Sequence, residues 1–221
     1  MITEKITGIM LTKNDVRHSF VRMSIESFYG QTYPNKELLI VNSGSVPIGE
    51  DDPRVAEIIV QPRTIGALRN IGLDYVKEGY AITWDDDDWR HPNYLKALAM
   101  AASCKYEAAM EYMCWGHKSM LHVDAKTGET RCEVFEGFHT PVLFNIATLK
   151  HRYEDLNRGE DCGFKNRFKR VEEAIMPPNY YVRFWHGDNT CPRKHIMEKG
   201  YETNEWETLI KYLIETYKLT S

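Results

Sequence analysis

The sequence lacks long hydrophobic runs, a signal-peptide pattern and an excess of charge of one sign. No apolar stretch approaches the roughly 20 residues that a membrane-spanning helix needs. Residues 1–5 do not begin a basic segment followed by an apolar one. With 28 basic and 32 acidic residues the formal net charge is −4, so no overall basic field attracts nucleic acid or anionic lipid. These absences predict a cytoplasmic protein without a transmembrane segment.

The sequence also lacks paired cysteines, internal repeats and low-complexity linkers. Its five cysteines are scattered, and no two form a Cys-x-x-Cys pair, which argues against a zinc site of closely spaced thiolates. Reduced thiols in a cytoplasmic protein are the simpler interpretation. The hydrophobic content of 43% over 221 residues is that of an ordinary globular chain, long enough for one large domain.

The most informative feature present is a run of four aspartates at residues 85–88, which directly follows the short apolar stretch 80–84. This order indicates a buried strand that delivers carboxylates to its C-terminal end. Four like charges raise one another's pKa values, and a divalent cation that prefers oxygen ligands removes the repulsion. The alternative is a solvated acidic turn. The flanking Trp84 and Trp89, with Pro92 just beyond, argue against that alternative.

Strand and helix patterns alternate through the first half of the chain, and Asn14 or Asp15 can cap the first helix. The predicted strands cover residues 6–11, 38–41, 58–60 and 80–84, and the predicted helices cover 16–28 and 66–77. Such alternation implies right-handed crossovers and a mostly parallel sheet, whose ligands lie beyond the carboxyl ends of its strands. The polar clusters at residues 12–14, 42–45 and 85–88 should therefore share one edge.

The second half has a different pattern. Its predicted helices cover residues 92–104, 160–170 and 206–217, and its predicted strands cover 108–118, 121–134 and 141–146, with a hairpin turn at 124–128. Because no linker separates the halves, we expect a single fused α/β domain over residues 1–221.

Four segments, in order and with matching spacing, resemble the family 2 glycosyltransferases. They are the turn Gln-Thr-Tyr-Pro within residues 27–35, the Gly-Ala-Leu-Arg-Asn-Ile-Gly helix start at 66–72, the acidic run with Pro92 and Leu95, and Gly-Glu-Asp at 159–161 with Arg167. The resemblance implies a GT-A fold, which is Rossmann-like with a mostly parallel central sheet and a smaller acceptor-side sheet. Residues 1–104 would bind the nucleotide-sugar, and residues 105–221 would bind the acceptor and supply the base.

The resemblance also implies a Mn²⁺ or Mg²⁺ ion at the acidic run. Asp85 and Asp87 occupy the ligand positions, with Asp87 the first choice as direct ligand. Asp86 would lie near the donor ribose, and Asp88 would support the ligands. A cation that bridges the two donor phosphates offsets the charge that builds on the leaving diphosphate. Arg69 would add a positive fork near those phosphates, the alternative being an ordinary surface arginine.

The same resemblance makes Asp161 the general base, because an acceptor hydroxyl needs a carboxylate within hydrogen-bond reach as it attacks. In-line attack opposite the diphosphate inverts the anomeric centre. Glu160 would orient the site or bind the acceptor. The alternative treats both residues as first-turn acids that the helix dipole favours.

One departure from the family pattern concerns the base of the donor. Two aspartates commonly follow the second strand in the family, whereas this chain has Asn42 and Ser43. Both can hydrogen-bond a base, so a UDP-sugar stays a candidate donor. Thr12 at the end of the first strand is a further candidate for donor binding, with a strand-end cap as the alternative.

Four later residues complete the predicted site. His186 would ligate the metal or contact the diphosphate, with a structural histidine as the alternative. Glu136 and Gly137 lie in a region that commonly faces the acceptor in this fold. Trp115 could stack on a sugar, although core packing is the default for a strand aromatic.

The predicted function is a metal-dependent inverting glycosyltransferase acting on a hydroxyl of a glycan, a lipid-linked precursor, a protein or a modified nucleobase. One alternative is a nucleotidyltransferase, although residues 12–16 lack the glycine of its phosphate loop. Another is a non-catalytic module that binds nucleotide-sugar. A basic stretch, 151–170, could meet a phosphorylated acceptor such as DNA or a lipid diphosphate. A solvated face balanced by nearby acids is the favoured interpretation of that stretch.

Overall fold

The computed structural model describes residues 1–13, 18–103, 113–135, 141–168, 170–187, 189 and 192–219. The helices are α1 (His18–Tyr29), α2 (Ile65–Tyr75), α3 (Tyr94–Ser103), α4 (Glu160–Lys165), α5 (Arg193–Met197) and α6 (Glu207–Tyr217). The strands are β1 (Ile6–Thr12), β2 (Lys36–Asn42), β3 (Val55–Ile59), β4 (Tyr80–Thr83), β5 (Asp88–Arg90), β6 (Met113–Gly116), β7 (Ser119–Asp124), β8 (Thr130–Val134), β9 (Leu143–Asn145), β10 (Arg170–Glu173), β11 (Tyr181–Trp185) and β12 (Tyr201–Glu202).

A seven-stranded sheet with the order β10-β6-β9-β4-β1-β2-β3 forms the centre of the described chain. Strand β1 runs parallel to both β2 and β4, and β2 runs parallel to β3. Strand β9 pairs in the antiparallel direction with β4 and β6. The carboxyl ends of β1, β2 and β4 therefore meet at one edge, as the alternating sequence pattern predicts.

The second sheet has five strands in the order β12-β8-β7-β11-β5. Its edge strand β5 begins at Asp88, which lies opposite Arg183 of β11 in an antiparallel pair. Because β4 ends at Thr83 in the central sheet, the acidic run connects the two sheets. This placement holds the aspartates between two hydrogen-bonded frameworks.

The inner strands β1 and β2 of the central sheet are buried on both faces. Alternate residues of β1 and β2 point to opposite sides, so Met10 and Ile40 join one apolar cluster while Ile9 and Val41 join the other. Both clusters are shielded from solvent, and near-continuous apolar strands are typical of a parallel sheet covered by helices. This packing fixes the strand ends that carry the polar clusters.

The structure changes several predicted boundaries. The helix predicted over residues 160–170 ends at Lys165, because residues 170–173 instead form β10 beside β6. Strands β5, β10, β11 and β12 and helix α5 were not predicted. The candidate caps Asn14 and Asp15, and the part of a predicted strand before residue 113, lie outside the described residues.

Gly66 allows the start of α2 to lie against the segment before α4. Its N–H donates to the carbonyl of Leu156 at 3.0 Å, and a Cβ atom there would lie 1.7 Å from the carbonyl oxygen of Glu154. We expect Gly66→Ala to lower the free energy of unfolding by about 2–3 kcal/mol, as overpacking against backbone does. Urea unfolding monitored by circular dichroism measures this change.

Gly30→Ala is the matched control, because a Cβ atom there meets its nearest neighbour at an ordinary 3.5 Å. It should change the free energy of unfolding by less than about 1 kcal/mol. Equal unfolding midpoints for the two variants would show that the contact between α2 and the segment at 154–156 is not as tight as the structure has it.

Candidate functional site

A cavity of about 770 Å³ opens at the carboxyl edge of the central sheet, a size typical of sites for nucleotide-sized ligands. It is bounded by the ends of β1 and β2, the start of α2, the acidic run, α4 and β11. The predicted residues that line it are Thr12, Ser43, Arg69, Asp85, Asp86, Asp87, Asp88, Glu160 and Asp161. A smaller cavity of about 320 Å³ lies between the β7–β8 hairpin and α6 and contains none of the predicted residues.

The four aspartates differ in how open they are to this cavity. The side chains of Asp85 and Asp87 are 34% and 16% exposed. Asp86 and Asp88 are only 4% and 2% exposed. Alternate carboxylates of the run are thus open, and the other two are packed into the protein.

A buried arginine and a tyrosine lie beneath the run. Arg90 is fully buried, packs 4.1 Å from the ring of Trp84 and donates to the hydroxyl of Tyr181 at 3.3 Å. The Tyr181 hydroxyl in turn donates to Asp88 and, at 3.2 Å, to Asp85. Burial, together with the charges of Asp87 and Asp85, raises the pKa of Asp88 to about 8. Burial is the larger cause of this rise, and the like charges of the run add to it.

Neither Arg90 nor Tyr181 was predicted from the sequence. Arg90 had a usable signal, since a cation two positions after four acids is suited to balance them. Tyr181 had none, because it reaches the run through the pairing of β11 with β5, two strands 90 residues apart in the sequence.

Asp87 contacts the segment that follows β11. Its Oδ2 atom lies 3.2 Å from Nε2 of His186 and accepts a hydrogen bond from Asn189 at 3.3 Å. The His186 ring packs against Phe20, with 4.4 Å between ring centroids. The structure thus brings His186 to the predicted metal ligand, while its role as a ligand itself stays a prediction.

Within the described parts of the chain, no three His, Cys, Asp or Glu side chains are already grouped around a common cation position. Magnesium does not require such a group. It usually keeps several waters and takes one or two carboxylates together with substrate phosphates. Asp85 and Asp87, both open to the cavity, fit that coordination pattern.

Arg69 connects the acidic run to α4. Its guanidinium lies 3.4 Å from Asp85 and 3.2 Å from Glu160, and it is 8% exposed. Burial opposes its charge, but the carboxylates of Asp85 and Glu160 and the nearby Tyr153 raise the pKa of Arg69. The alternative of an ordinary surface arginine is therefore wrong.

We expect Arg69→Lys to lower kcat/KM about 10-fold or more for the glycosyl transfer that the sequence resemblance implies. A lysine cannot hold both carboxylates with a planar fork, and a lost hydrogen bond between charged groups costs about 1.5–3 kcal/mol. Initial-rate kinetics with varied donor measures the effect. Arg152→Lys is the control, since Arg152 is exposed and pairs with Asp74 outside the cavity. A similar loss in both variants would remove Arg69 from the site.

The two acids of α4 have different environments. Gly159 at the N-terminal end of the helix has a φ of +76°, a conformation that favours glycine. Glu160 is 4% exposed and paired with Arg69; burial raises its pKa, while Arg69 acts in the opposite sense. Asp161 is half-buried and lines the cavity, and its carboxylate accepts the N–H of Cys162 at 2.7 Å. Asp161 is thus the more accessible acid.

The structure places the donor-side candidates differently from one another. Thr12 and Ser43 line the cavity, and the buried Oγ1 of Thr12 has no hydrogen-bond partner among the described residues. Asn42 is fully buried; its amide donates to Val46 and Glu57 and accepts from Gly44. The prediction that Asn42 contacts the donor is wrong, because its side chain is used to hold the following loop.

Trp115 is the acceptor-side candidate that the structure describes, and it does not line the cavity. Trp115 is 1% exposed and packs at 6.0 Å from the ring of Tyr80 in the core. The prediction that it stacks on a sugar is wrong, because neither ring face is open to a ligand. Glu136 and Gly137 lie outside the described residues.

Comparisons with known proteins agree with this architecture. Residues 8–121, about half of the chain, match the sequence profile of "Glycosyl transferase family 2". The "putative glycosyltransferase EpsH" of Bacillus subtilis strain 168 is 30% identical over 225 residues, covering 84% of this chain and 64% of that protein. The glycosyltransferase GlyA of Streptococcus pneumoniae is 29% identical over 120 residues, covering 51% of this chain and 16% of GlyA. The chain thus spans less than two thirds of the length of either relative.

Solved structures of TarS from S. aureus show a similar fold. TarS 1–349 in complex with UDP-GlcNAc aligns with a TM-score of 0.63 and 16% identity, over 98% of this chain and 67% of that one. The complex with UDP aligns with a TM-score of 0.60 and 17% identity, over 98% and 66%. Together with the sheet topology, this likeness confirms the expected GT-A fold. None of the helices in the described part of the chain has the length and apolar content to cross a membrane.

Proposed function

Because the chain belongs to glycosyl transferase family 2, we propose that it is a metal-dependent inverting glycosyltransferase that moves a sugar from a nucleotide-sugar donor to a hydroxyl acceptor. The observation that carries the proposal is the composition of one cavity. Asp85 and Asp87 are open on one wall, Asp161 lies on another, and Arg69 joins the walls through Asp85 and Glu160.

The donor is proposed to lie along the carboxyl edge of the central sheet. TarS, which has a similar fold, was solved with UDP-GlcNAc and with UDP. In this chain, the buried hydroxyl of Thr12 and the side chain of Ser43 line the cavity at the ends of β1 and β2. Both offer a hydrogen bond to a nucleoside, and we propose a UDP-sugar as the donor class.

We propose that Asp85 and Asp87 hold a Mn²⁺ or Mg²⁺ ion when the donor binds. Such an ion, when bound, would stabilise the negative charge of the departing diphosphate as a Lewis acid. Tyr181 orients Asp85 with a hydrogen bond, and Asn189 and His186 orient Asp87. The buried Arg90 offsets part of the negative charge from behind.

Asp161 is proposed to accept the proton of the acceptor hydroxyl. As that O–H bond breaks, the oxygen bonds to the anomeric carbon, and the bond from that carbon to the diphosphate oxygen breaks on the opposite face, which inverts the configuration. Glu160 is less suited to this role, because Arg69 already pairs with its carboxylate. Its function would be to hold Arg69 beside the acidic run.

The test is the identity of the phosphate product. The chain would be incubated with a panel of nucleotide-sugars and acceptors in Mn²⁺, and released nucleoside diphosphate would be quantified. We expect nucleoside diphosphate from a glycosyltransferase, whereas pyrophosphate from a nucleoside triphosphate would identify a nucleotidyltransferase. Donor binding without any product across the panel would favour the non-catalytic module.

A further inference from the structure

We propose that the acceptor is anionic, and that Arg63, Arg158 and Lys165 bind a phosphate or carboxylate group next to the hydroxyl that receives the sugar. This inference rests on the proposed function and names the substrate class of its acceptor site. It starts from the basic stretch of residues 151–170, which the structure separates into cations with different surroundings.

Most of the basic stretch is not available to a ligand in the cavity. Arg152 pairs with Asp74 at 3.1 Å, and Arg167 pairs with Glu154 at 2.8 Å. Arg170 pairs with Glu172. These three cations are balanced by acids, as the favoured interpretation predicted. His151 instead packs against the aromatic ring of Phe164, with 4.8 Å between centroids, and Lys169 lies outside the described residues.

Two members of the stretch, Arg158 and Lys165, line the cavity, and Arg63 joins them from the start of α2. Lys165 follows Asp161 by four residues in α4, so the two side chains project from the same face of the helix. Neither Arg63 nor Arg158 forms an ion pair or side-chain hydrogen bond with any described residue, and both are exposed. Lys165 is therefore on the same helix face as the proposed base, and both arginines line the same cavity.

Backbone contacts hold Arg63 and Arg158 near each other. The N–H of Ile65 donates to the side chain of Asn157 at 3.1 Å, and Gly66 donates to Leu156 at 3.0 Å. The residues that follow Arg63 are thus hydrogen-bonded to the residues that precede Arg158. The packing of α2 against the loop before α4 therefore brings together the two segments that carry Arg63 and Arg158, and both arginines line the cavity.

The electrostatics of the cavity favour a charged acceptor. The acidic run and Asp161 repel an anion, and the proposed metal neutralises only part of that charge. Arg63, Arg158 and Lys165 line the same cavity as Asp161. Their positive charges offset the repulsion between these acids and an anionic acceptor. Arginine binds phosphate and carboxylate with paired hydrogen bonds, which makes it suited to both groups.

The test uses three small probes that share an aromatic ring: phenyl phosphate, benzoate and benzyl alcohol. Each is titrated by ligand-observed NMR into the chain saturated with UDP and Mg²⁺, so that the donor site is filled. We expect at least one of the two anions to bind and benzyl alcohol not to bind. The stronger of the two anions identifies phosphate or carboxylate as the group that is recognised.

The variant Arg63→Gln/Arg158→Gln should weaken binding of the preferred anion about 10-fold, because two charge-assisted contacts are lost. Its affinity for UDP should stay within about 2-fold of the original chain. The control is Arg152→Gln/Arg170→Gln, which removes the same charge outside the cavity and should bind the anion as before.

Three results would overturn the proposal: no binding of either anion, equal weakening in the control, or a parallel loss of UDP affinity. The last would assign the arginines to the donor. A chain that does not bind UDP at all contradicts the proposed function instead, so the two failures are distinguishable.

Discussion

Replacing Asp161 by asparagine is expected to lower kcat for glycosyl transfer about 10²–10⁴-fold while donor affinity stays within about 3-fold. The amide cannot accept the proton of the acceptor hydroxyl, and general-base catalysis contributes about that factor. The donor should be unaffected, because the proposed donor contacts come from the acidic run, Thr12 and Ser43 on other walls of the cavity. Asp161 is half-buried, so the fold should tolerate an isosteric change.

Steady-state kinetics gives kcat, and calorimetric titration with UDP gives the donor affinity. Asp74→Asn is the matched control, since Asp74 is a 63%-exposed carboxylate that pairs with Arg152. Transfer at the original rate by the Asp161 variant would show that another group is the base. Loss of UDP binding would show that Asp161 acts on the donor.

Replacing Asp87 by asparagine is expected to weaken donor binding as well as transfer, unlike the change at Asp161. Without this carboxylate, UDP affinity in the presence of Mn²⁺ should fall about 10-fold or more, and transfer should fall at least about 100-fold. A neutral amide is a weaker ligand for a hard cation than a carboxylate. Affinity for UDP in EDTA should change little, because the contact removed is mediated by the metal.

Titration of UDP in Mn²⁺ and in EDTA separates these effects. Asp51→Asn serves as control, because Asp51 is exposed and does not line the cavity. If the Asp87 variant bound UDP equally well in Mn²⁺ as the original chain, Asp87 would not be a metal ligand. Asp85 alone would then be left as the open carboxylate of the run.

The parallel half of the fold was predictable because its signals are local. A buried parallel strand is a short apolar run, and a polar break marks its end, so residues 6–11, 38–41 and 80–84 could be placed from the sequence. The shared edge of these strands follows from the handedness of crossovers alone. The acidic run, Thr12 and Ser43 consequently met in one cavity as predicted.

The second sheet and the remaining site residues depend on pairings between segments that are distant in the sequence. Strand β5 is only three residues long, and β11 reaches the acidic run through that strand, so neither gives a periodic signal. Asn42 was assigned to the donor by its position, but Glu57 of β3 captures its amide. Trp115 lies on a strand that is covered on both sides, which a short apolar run does not reveal.

The central claim is that the acidic run binds the donor diphosphate through a divalent cation. The most direct test is the thermal stability of the chain with UDP, Mn²⁺, both, or UDP with EDTA. UDP at 100 times its Kd should add about 2.7 kcal/mol to the free energy of unfolding, which for a chain of this size raises Tm by about 5–10 °C. We predict this rise only when UDP and Mn²⁺ are present together. An equal rise with UDP in EDTA, or no rise with both, would contradict the claim.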